Sequence, residues 1–320
     1  MALLLTAATC DDLVFEAVAS LLQARSVSPA PTKGDCVEVS AITLELTNPR
    51  ARISQSVMRG RPYSALGEFA WYLSGGGGTE QIAYYISAYR KFDENGQVHG
   101  AYGPRLRAYD GVDQLIEVID LLRRNPSSRR AVIQLYDHTD LIGAHRDVPC
   151  TCVMQFLLRD GQLQLIVYMR SNDVYLGLPH DLFCFTMLQE VVARCLAVEL
   201  GSYTHVVGSL HLYDTDRGDA QSFIDEGRQS TLLAMPMMPE ANPLGSLAAL
   251  LAVESKLRAG TPWQQVPLSE EPYWSDLERM YAAFQLRRGP RAELELLRSK
   301  MSSNFYDPFI VQLLDRISED

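Results

Sequence analysis

No apolar run in this chain approaches the roughly eighteen residues that a membrane-spanning helix needs; the longest stretches, such as Leu247–Val253, fall far short. A secretory leader is not expected either. Met1–Thr9 is apolar, but it lacks a basic leader and is followed soon by Asp11 and Asp12. Positive charge is scarce: 29 Lys and Arg stand against 39 Asp and Glu, a net charge of −10. Neutralising a nucleic-acid polymer takes a basic face, so no such partner is expected. A nucleotide monomer, which needs only a few local arginines, is not excluded. Histidine is sparse, six in all, with no compact ligand spacing around Cys150-Thr151-Cys152, so no metal site is expected. Six cysteines (10, 36, 150, 152, 184 and 195) dispersed through a large acidic chain read as reduced thiols of a cytoplasmic protein.

What is present is enough apolar material, 47% of 320 residues, for a substantial core. Apolar spacing predicts helices over 12–24, Pro62–Leu73, Asp113–Arg124, Asp181–Leu196, Leu247–Arg258, Ser275–Arg288 and Arg291–Ser299. Four glycines, Gly75–Gly78, stop the second of these, and Asn125-Pro126 closes the third. Strands are expected over Val37–Leu46, Ala131–Tyr136, Val153–Leu158 and Leu163–Met169, the last two joined by an Asp160-Gly161 hairpin turn. The character changes near residue 225, dividing the chain into a body at 1–225 and a helical C-terminal extension at 226–320. No internal repeat is visible.

Three segments carry chemistry. Val148-Pro149-Cys150-Thr151-Cys152 precedes a strand; Arg170-Ser171-Asn172-Asp173-Val174-Tyr175-Leu176-Gly177-Leu178-Pro179-His180-Asp181 runs from a strand through a loop into a helix; Gly208-Ser209-Leu210-His211-Leu212-Tyr213 comes last. A thiol suits reversible addition to an electron-poor ring, because it adds and later leaves readily. A nearby guanidinium such as Arg170 lowers its pKa from about 8.5. Alone, Cys150 would read as an ordinary buried thiol.

Together these segments resemble the thymidylate synthase family: a Pro-Cys nucleophile, an R-S-x-D-V-[FY]-L-G-L-P stretch and a late H-x-Y, at matching spacing over roughly 60–215. The resemblance implies an α+β fold, with a large mixed β-sheet packed by helices. It also implies a pyrimidine nucleoside monophosphate substrate and 5,10-methylenetetrahydrofolate as one-carbon donor. Cys150 matches the nucleophile that adds to C6. Glu68, in Gly67-Glu68-Phe69-Ala70-Trp71-Tyr72-Leu73, matches the general acid/base, and burial in so apolar a helix would raise its pKa. Tyr102 aligns with the tyrosine at the C5 proton-abstraction site.

Arg170 and Ser171, with Arg129 and Arg130 of Ser128-Arg129-Arg130, match the phosphate ligands. The family's double arginine reaches across a homodimer interface into the partner's site. The N-terminal phosphate arginine has no clear match; Lys33 in Thr32-Lys33-Gly34 is the nearest candidate. His211 and Tyr213 match the pair on the sugar 3′-hydroxyl. Asp173 matches the aspartate on the folate pterin, and Gly177 belongs to the same cofactor-binding stretch.

Two departures choose the substrate. Synthases carry asparagine where this chain has Asp181, the change that marks the cytidylate 5-hydroxymethylases of the superfamily. A carboxyl accepts from cytosine N4, provided that either Asp181 or N3 holds a proton. His180 is placed to support that network. Ser87-Ala88-Tyr89-Arg90-Lys91-Phe92 has no tryptophan where synthases shield the exocyclic carbon. Their apolar closing tail is likewise replaced, here by Arg316-Ile317-Ser318-Glu319-Asp320. Loss of water exclusion favours hydration. The expectation is hydroxymethylation of dCMP or CMP, the sugar ligands mildly favouring dCMP. The alternatives are C5 methylation of dCMP or dUMP, or a non-catalytic nucleotide-binding homologue. An RNA-binding regulator and a flavin or metal enzyme are weaker readings.

Overall fold

The computed structural model describes residues 3–24, 27–28 and 34–319. The chain opens with β1 (Leu3–Ala7), α1 (Cys10–Gln23), β2 (Val27–Ser28) and β3 (Cys36–Leu46). The apolar stretch before α1 is thus an edge strand, pairing in parallel with β3. Thr9 caps α1 by accepting from Asp12 N at 3.1 Å, and Asp11 and Asp12 suit the positive end of the helix. Next come α2 (Pro62–Leu73), α3 (Thr79–Tyr85), a two-strand ribbon of β4 (Asp93–Glu94) and β5 (Gln97–Val98), then α4 (Tyr102–Arg107), α5 (Gln114–Arg124) and β6 (Val132–Gln134).

The central part is β7 (Thr151–Arg159), β8 (Gln162–Met169), β9 (Asn172–Asp173), α6 (Leu178–Leu196) and β10 (Glu199–Tyr213). Asp160 and Gly161 both take positive φ, 50° and 76°, the type I′ geometry that suits the twist of a hairpin. Helices α7 (Arg217–Glu226), α8 (Leu244–Arg258), α9 (Pro272–Gln285), α10 (Arg291–Arg298) and α11 (Asp307–Glu319) complete the chain.

The sheet runs β1-β3-β10-β8-β7-β6, with β2 on β3 and β9 on β10. Pairs β1/β3, β8/β10 and β9/β10 are parallel; β3/β10, β7/β8 and β6/β7 are antiparallel. This is the mixed α+β sheet that was expected. Helix α2 is buried along nearly its whole length, and Gly67 shows why: a Cβ there would lie 2.2 Å from the Tyr85 ring. Helix α6 begins at Leu178, three residues before its expected start, because Pro179 fits a first turn that lacks N–H partners.

The C-terminal helices share the core of the sheet domain. Tyr281 Oη donates to Leu66 O of α2 at 2.8 Å, and Tyr85 Oη donates to Glu254 Oε1 at 2.9 Å. Glu190 of α6 pairs with Arg52 at 2.5 Å, both side chains fully buried. Its second oxygen accepts from Met238 N at 2.9 Å. Among the described residues no helix is long and apolar enough to cross a membrane.

Candidate active site

One cavity of about 570 Å³ gathers side chains from α2, the Ser87–Phe92 turn, the start of α4, the loop before β7 and the β8–α6 junction. Cys150, Glu68, Tyr102, Asp173, Gly177, Ser171 and Asp181 all line it.

Cys150 sits one residue ahead of β7, its carbonyl accepting from Arg170 N at 2.9 Å. The Arg170 guanidinium clasps the same loop, Nε on Pro149 O at 2.9 Å and Nη2 on Val148 O at 3.1 Å. Burial pushes the Cys150 thiol up to about 11; Arg170 pulls it down, while Asp147 and Asp181 oppose that pull. The expected lowering by Arg170 therefore has the right sign but is outweighed, because a thiolate loses its solvation in this wall. At neutral pH the resting sulfur is protonated.

Glu68 is 5% exposed. Its Oε1 accepts from Tyr72 Oη at 3.0 Å and Tyr89 Oη at 2.9 Å. Burial holds its carboxyl above the usual range, and the two tyrosine hydroxyls partly offset this. The Ser87–Phe92 segment has no tryptophan but contributes Tyr89 and Phe92 to the lining, where Trp71 of α2 also stands, and Tyr89 packs edge-on against Trp71. This wall brings the Tyr89 hydroxyl beside Glu68. Tyr102 Oη accepts from Thr151 N and from Thr151 Oγ1, each at 3.0 Å.

Asp181, on the first turn of α6, is 8% exposed, and burial raises its pKa well above the carboxylate norm. It accepts from Asn172 Nδ2 at 2.7 Å. His180 does not join this group. Its Nε2 lies 2.8 Å from Ser64 Oγ, and burial keeps the ring neutral with a pKa of about 3. The i,i+1 offset on a helix turns the two side chains apart.

Asp173 spends Oδ1 on Tyr175 N and Leu176 N, both at 2.9 Å, and its Oδ2 is buried without a partner. Gly177 closes the same turn on Asp173 O at 3.1 Å. Ser171 Oγ stands 3.4 Å from His211 Nδ1. His211 and Tyr213 pack edge-on, buried on β10 beside the cavity, outside its lining. Arg129, Arg130 and Arg170 are exposed and line no part of the cavity in their own chain. Lys33 lies outside the described residues. Among the described residues no group of three or more His, Cys, Asp or Glu is arranged to hold a metal ion.

Among the lining residues to which the sequence reading gave no role are Arg59, Asp147, Asn172 and Tyr89, the last two standing within segments it singled out. Arg59 is 4% exposed with Nε and Nη2 unpartnered, and its guanidinium lies 4.5 Å from the Tyr175 ring centre. Met58-Arg59-Gly60-Arg61 ahead of Pro62 was the available signal. Asp147, three residues before the cysteine, has its carboxyl pushed up to about 6 by burial.

With this geometry in hand, comparison with known proteins is direct. The family model described as thymidylate synthase matches residues 58–242, which takes in every residue lining the cavity and runs past residue 225. A curated relative, the deoxyuridylate hydroxymethyltransferase of Bacillus phage SP01, is 32% identical over 206 residues, 59% of this chain and 53% of the relative. The chain spans about half the length of that relative. With more than half of its length matched, the chain belongs to the thymidylate synthase family.

Proposed function

We propose that this chain hydroxymethylates C5 of a pyrimidine nucleoside monophosphate, with cytidylate as the preferred base and 5,10-methylenetetrahydrofolate as donor. The observation that carries this reading is the convergence of Cys150, Glu68, Tyr102 and a buried Asp181, its carboxyl pushed well above the carboxylate norm by desolvation, on one cavity. A neutral carboxyl donates to cytosine N3 through its hydroxyl and accepts from the N4 amino group through its carbonyl. The two-bond match then needs no proton on the ring.

Cys150 sulfur adds to C6 and releases its proton into the cavity. There Asp147 offers a carboxylate with no hydrogen bond to another described residue. Tyr102, accepting from Thr151, keeps its own hydroxyl proton to steady the water that removes the C5 proton. Glu68 holds Oε1 on two tyrosines, leaving Oε2 to direct water onto the exocyclic carbon. The sulfur then leaves C6 and the ring double bond returns. Bound folate supplies the one-carbon unit. The unpartnered Asp173 Oδ2 fits a pterin N–H donor, and Gly177 lets the turn that presents it close, since a Cβ there would meet Asp173 O at 3.1 Å.

Arg170 and Ser171 are assigned to the nucleotide phosphate, His211 and Tyr213 to the sugar hydroxyl. The exposed Arg129 and Arg130 are assigned to a homodimer interface, reaching toward a second copy's phosphate. A second cleft of about 540 Å³ shares Arg61, Ser64 and Tyr85 with the first, and Arg287, Arg288 and Arg316 line it with no carboxylate. It suits the acidic tail of the folate, which makes residues 226–320 a cap on the folate side of a catalytic body at 1–225.

Uridylate is the second reading, favoured by the name of the phage relative. Incubation with methylenetetrahydrofolate and each of dCMP, CMP and dUMP, followed by mass spectrometry, separates the readings. The expected product is a cytosine nucleotide heavier by one CH₂O unit. A gain of one CH₂ would overturn the hydration step, and product from dUMP alone would overturn the cytosine assignment.

A further inference from the structure

Asp181 does not stand alone behind the base. Asn172 Nδ2, which donates to Asp181 Oδ2 at 2.7 Å, also lies 2.8 Å from the Met169 sulfur and 3.4 Å from His205 Nε2. His205 Nδ1 is 2.6 Å from Tyr203 Oη. Asn172 is 3% exposed, and His205 and Tyr203 are fully buried. Desolvation holds the His205 pKa down at about 3, so the ring is neutral and its nitrogens play opposite roles. Nε2 faces the asparagine amino group and accepts; Nδ1–H therefore donates to Tyr203. This relay turns the NH₂ group of Asn172 toward Asp181 and leaves Asn172 Oδ1 buried without a partner.

A neutral carboxyl has one donor oxygen and one acceptor oxygen, and by itself either can carry the proton. The hydrogen bond received by Oδ2 makes that atom the acceptor and leaves the proton on Oδ1. We infer that Asn172 is the specificity-determining residue of the site: by donating to Asp181 Oδ2 it fixes which carboxyl oxygen donates to the pyrimidine and which accepts. The inference rests on the assignment of Asp181 as the base reader. Cytosine presents an acceptor at N3 and a donor at N4; uracil presents a donor at N3 and an acceptor at O4. The two edges are opposite in order, so a carboxyl locked in one order fits one base and sets like against like with the other. Sites that read a substrate with buried polar groups discriminate by about 10⁴-fold. A carboxyl free to move its proton would serve both bases.

The test compares kcat/KM for dCMP and dUMP in the wild type, Asn172→Ala and Asn172→Asp, with folding checked by thermal melting. Asn172→Ala is expected to shrink the ratio from about 10⁴ to within about tenfold of unity, the poorer substrate gaining while the better one loses. Asn172→Asp keeps the shape but presents an acceptor to Oδ2, and is expected to move the preference toward the other base. An unchanged ratio, with both substrates losing equally, would reduce Asn172 to a packing role and overturn the inference. Nucleotide dissociation constants read the ground-state part of the same discrimination, so loss of turnover does not obscure it. If Asn172→Ala fails to fold, His205→Phe removes the acceptor that orients the amide and should narrow the ratio; full discrimination in that folded variant also counts against the relay. A wild type that prefers dUMP would overturn the cytidylate reading alone, since the ratio collapses from either side.

Discussion

Burial keeps the Cys150 thiol near 11 against the pull of Arg170, while Asp147 adds an opposing charge. Asp147→Asn is therefore expected to lower that pKa. The thiolate is the form that reacts, so alkylation of Cys150 by iodoacetamide at pH 8 should speed up by as much as about tenfold. Arg170→Met should slow it. Mass-resolved labelling of the Cys150 peptide against time checks both, and slower labelling of Asp147→Asn would refute the electrostatic account. Glu68 sits above the usual carboxylate range and becomes ionised as pH rises through its pKa. Loss of one tyrosine hydroxyl in Tyr89→Phe raises that pKa further, so the acid limb of the kcat profile should move to higher pH. Glu68→Gln should cut product formation about 10²–10⁴-fold. Cys150, Glu68, Tyr102 and Asp181 were legible in the sequence because each sits in a recognisable run. Arg59, Asp147 and Asn172 were not, because what sets them apart is burial and the presence or absence of partners, which only the tertiary fold creates.

Helix α2 carries Glu68 into the cavity wall, and Gly67 lets the Tyr85 ring close on it. Gly67→Ala adds a Cβ where a rigid ring already stands, a case of overpacking expected to cost about 1–3 kcal/mol. Urea denaturation measures it, and a stable variant with unaltered activity would show that α2 and α3 have slack. Elements with strong punctuation were readable: α2 between Pro62 and Gly75–Gly78, α5 with Asp113 accepting from Ile116 N at 3.2 Å, and the Asp160-Gly161 hairpin. Strand β10 was read only as a motif at its far end, although it spans fifteen residues. Its inward positions include Gly201 and His205 as well as Tyr203 and Val207, so the apolar alternation that signals a half-buried strand is broken. His205 interrupts the pattern because it backs Asn172. Helix α11 was missed as well, its apolar positions lying at the end of a charged segment.

For the molecule as a whole, the shared core joins the C-terminal helices to the sheet domain, and Glu190 is one of the joints. It neutralises the buried Arg52 and also receives Met238 N. Glu190→Ala leaves a guanidinium uncompensated in the core, expected to cost about 3–5 kcal/mol in chemical denaturation. A loss below about 1 kcal/mol, the range of exposed pairs, would mean that water reaches the pair. The composition shift near residue 225 was visible in the sequence. That Tyr281 and Glu254 reach back to α2 and α3 was not, because long-range packing leaves no local periodicity.

The claim on which the rest depends is that Cys150 adds covalently to the pyrimidine ring. A 5-fluoro-substituted cytidine nucleotide, incubated with the protein and methylenetetrahydrofolate, should form a stable ternary adduct, because fluorine cannot leave C5 as a proton does. Peptide mapping should place that adduct on Cys150, and Cys150→Ser should show none and make no product from the unfluorinated nucleotide. An adduct on another residue, or turnover by Cys150→Ser near the wild-type rate, would contradict the account.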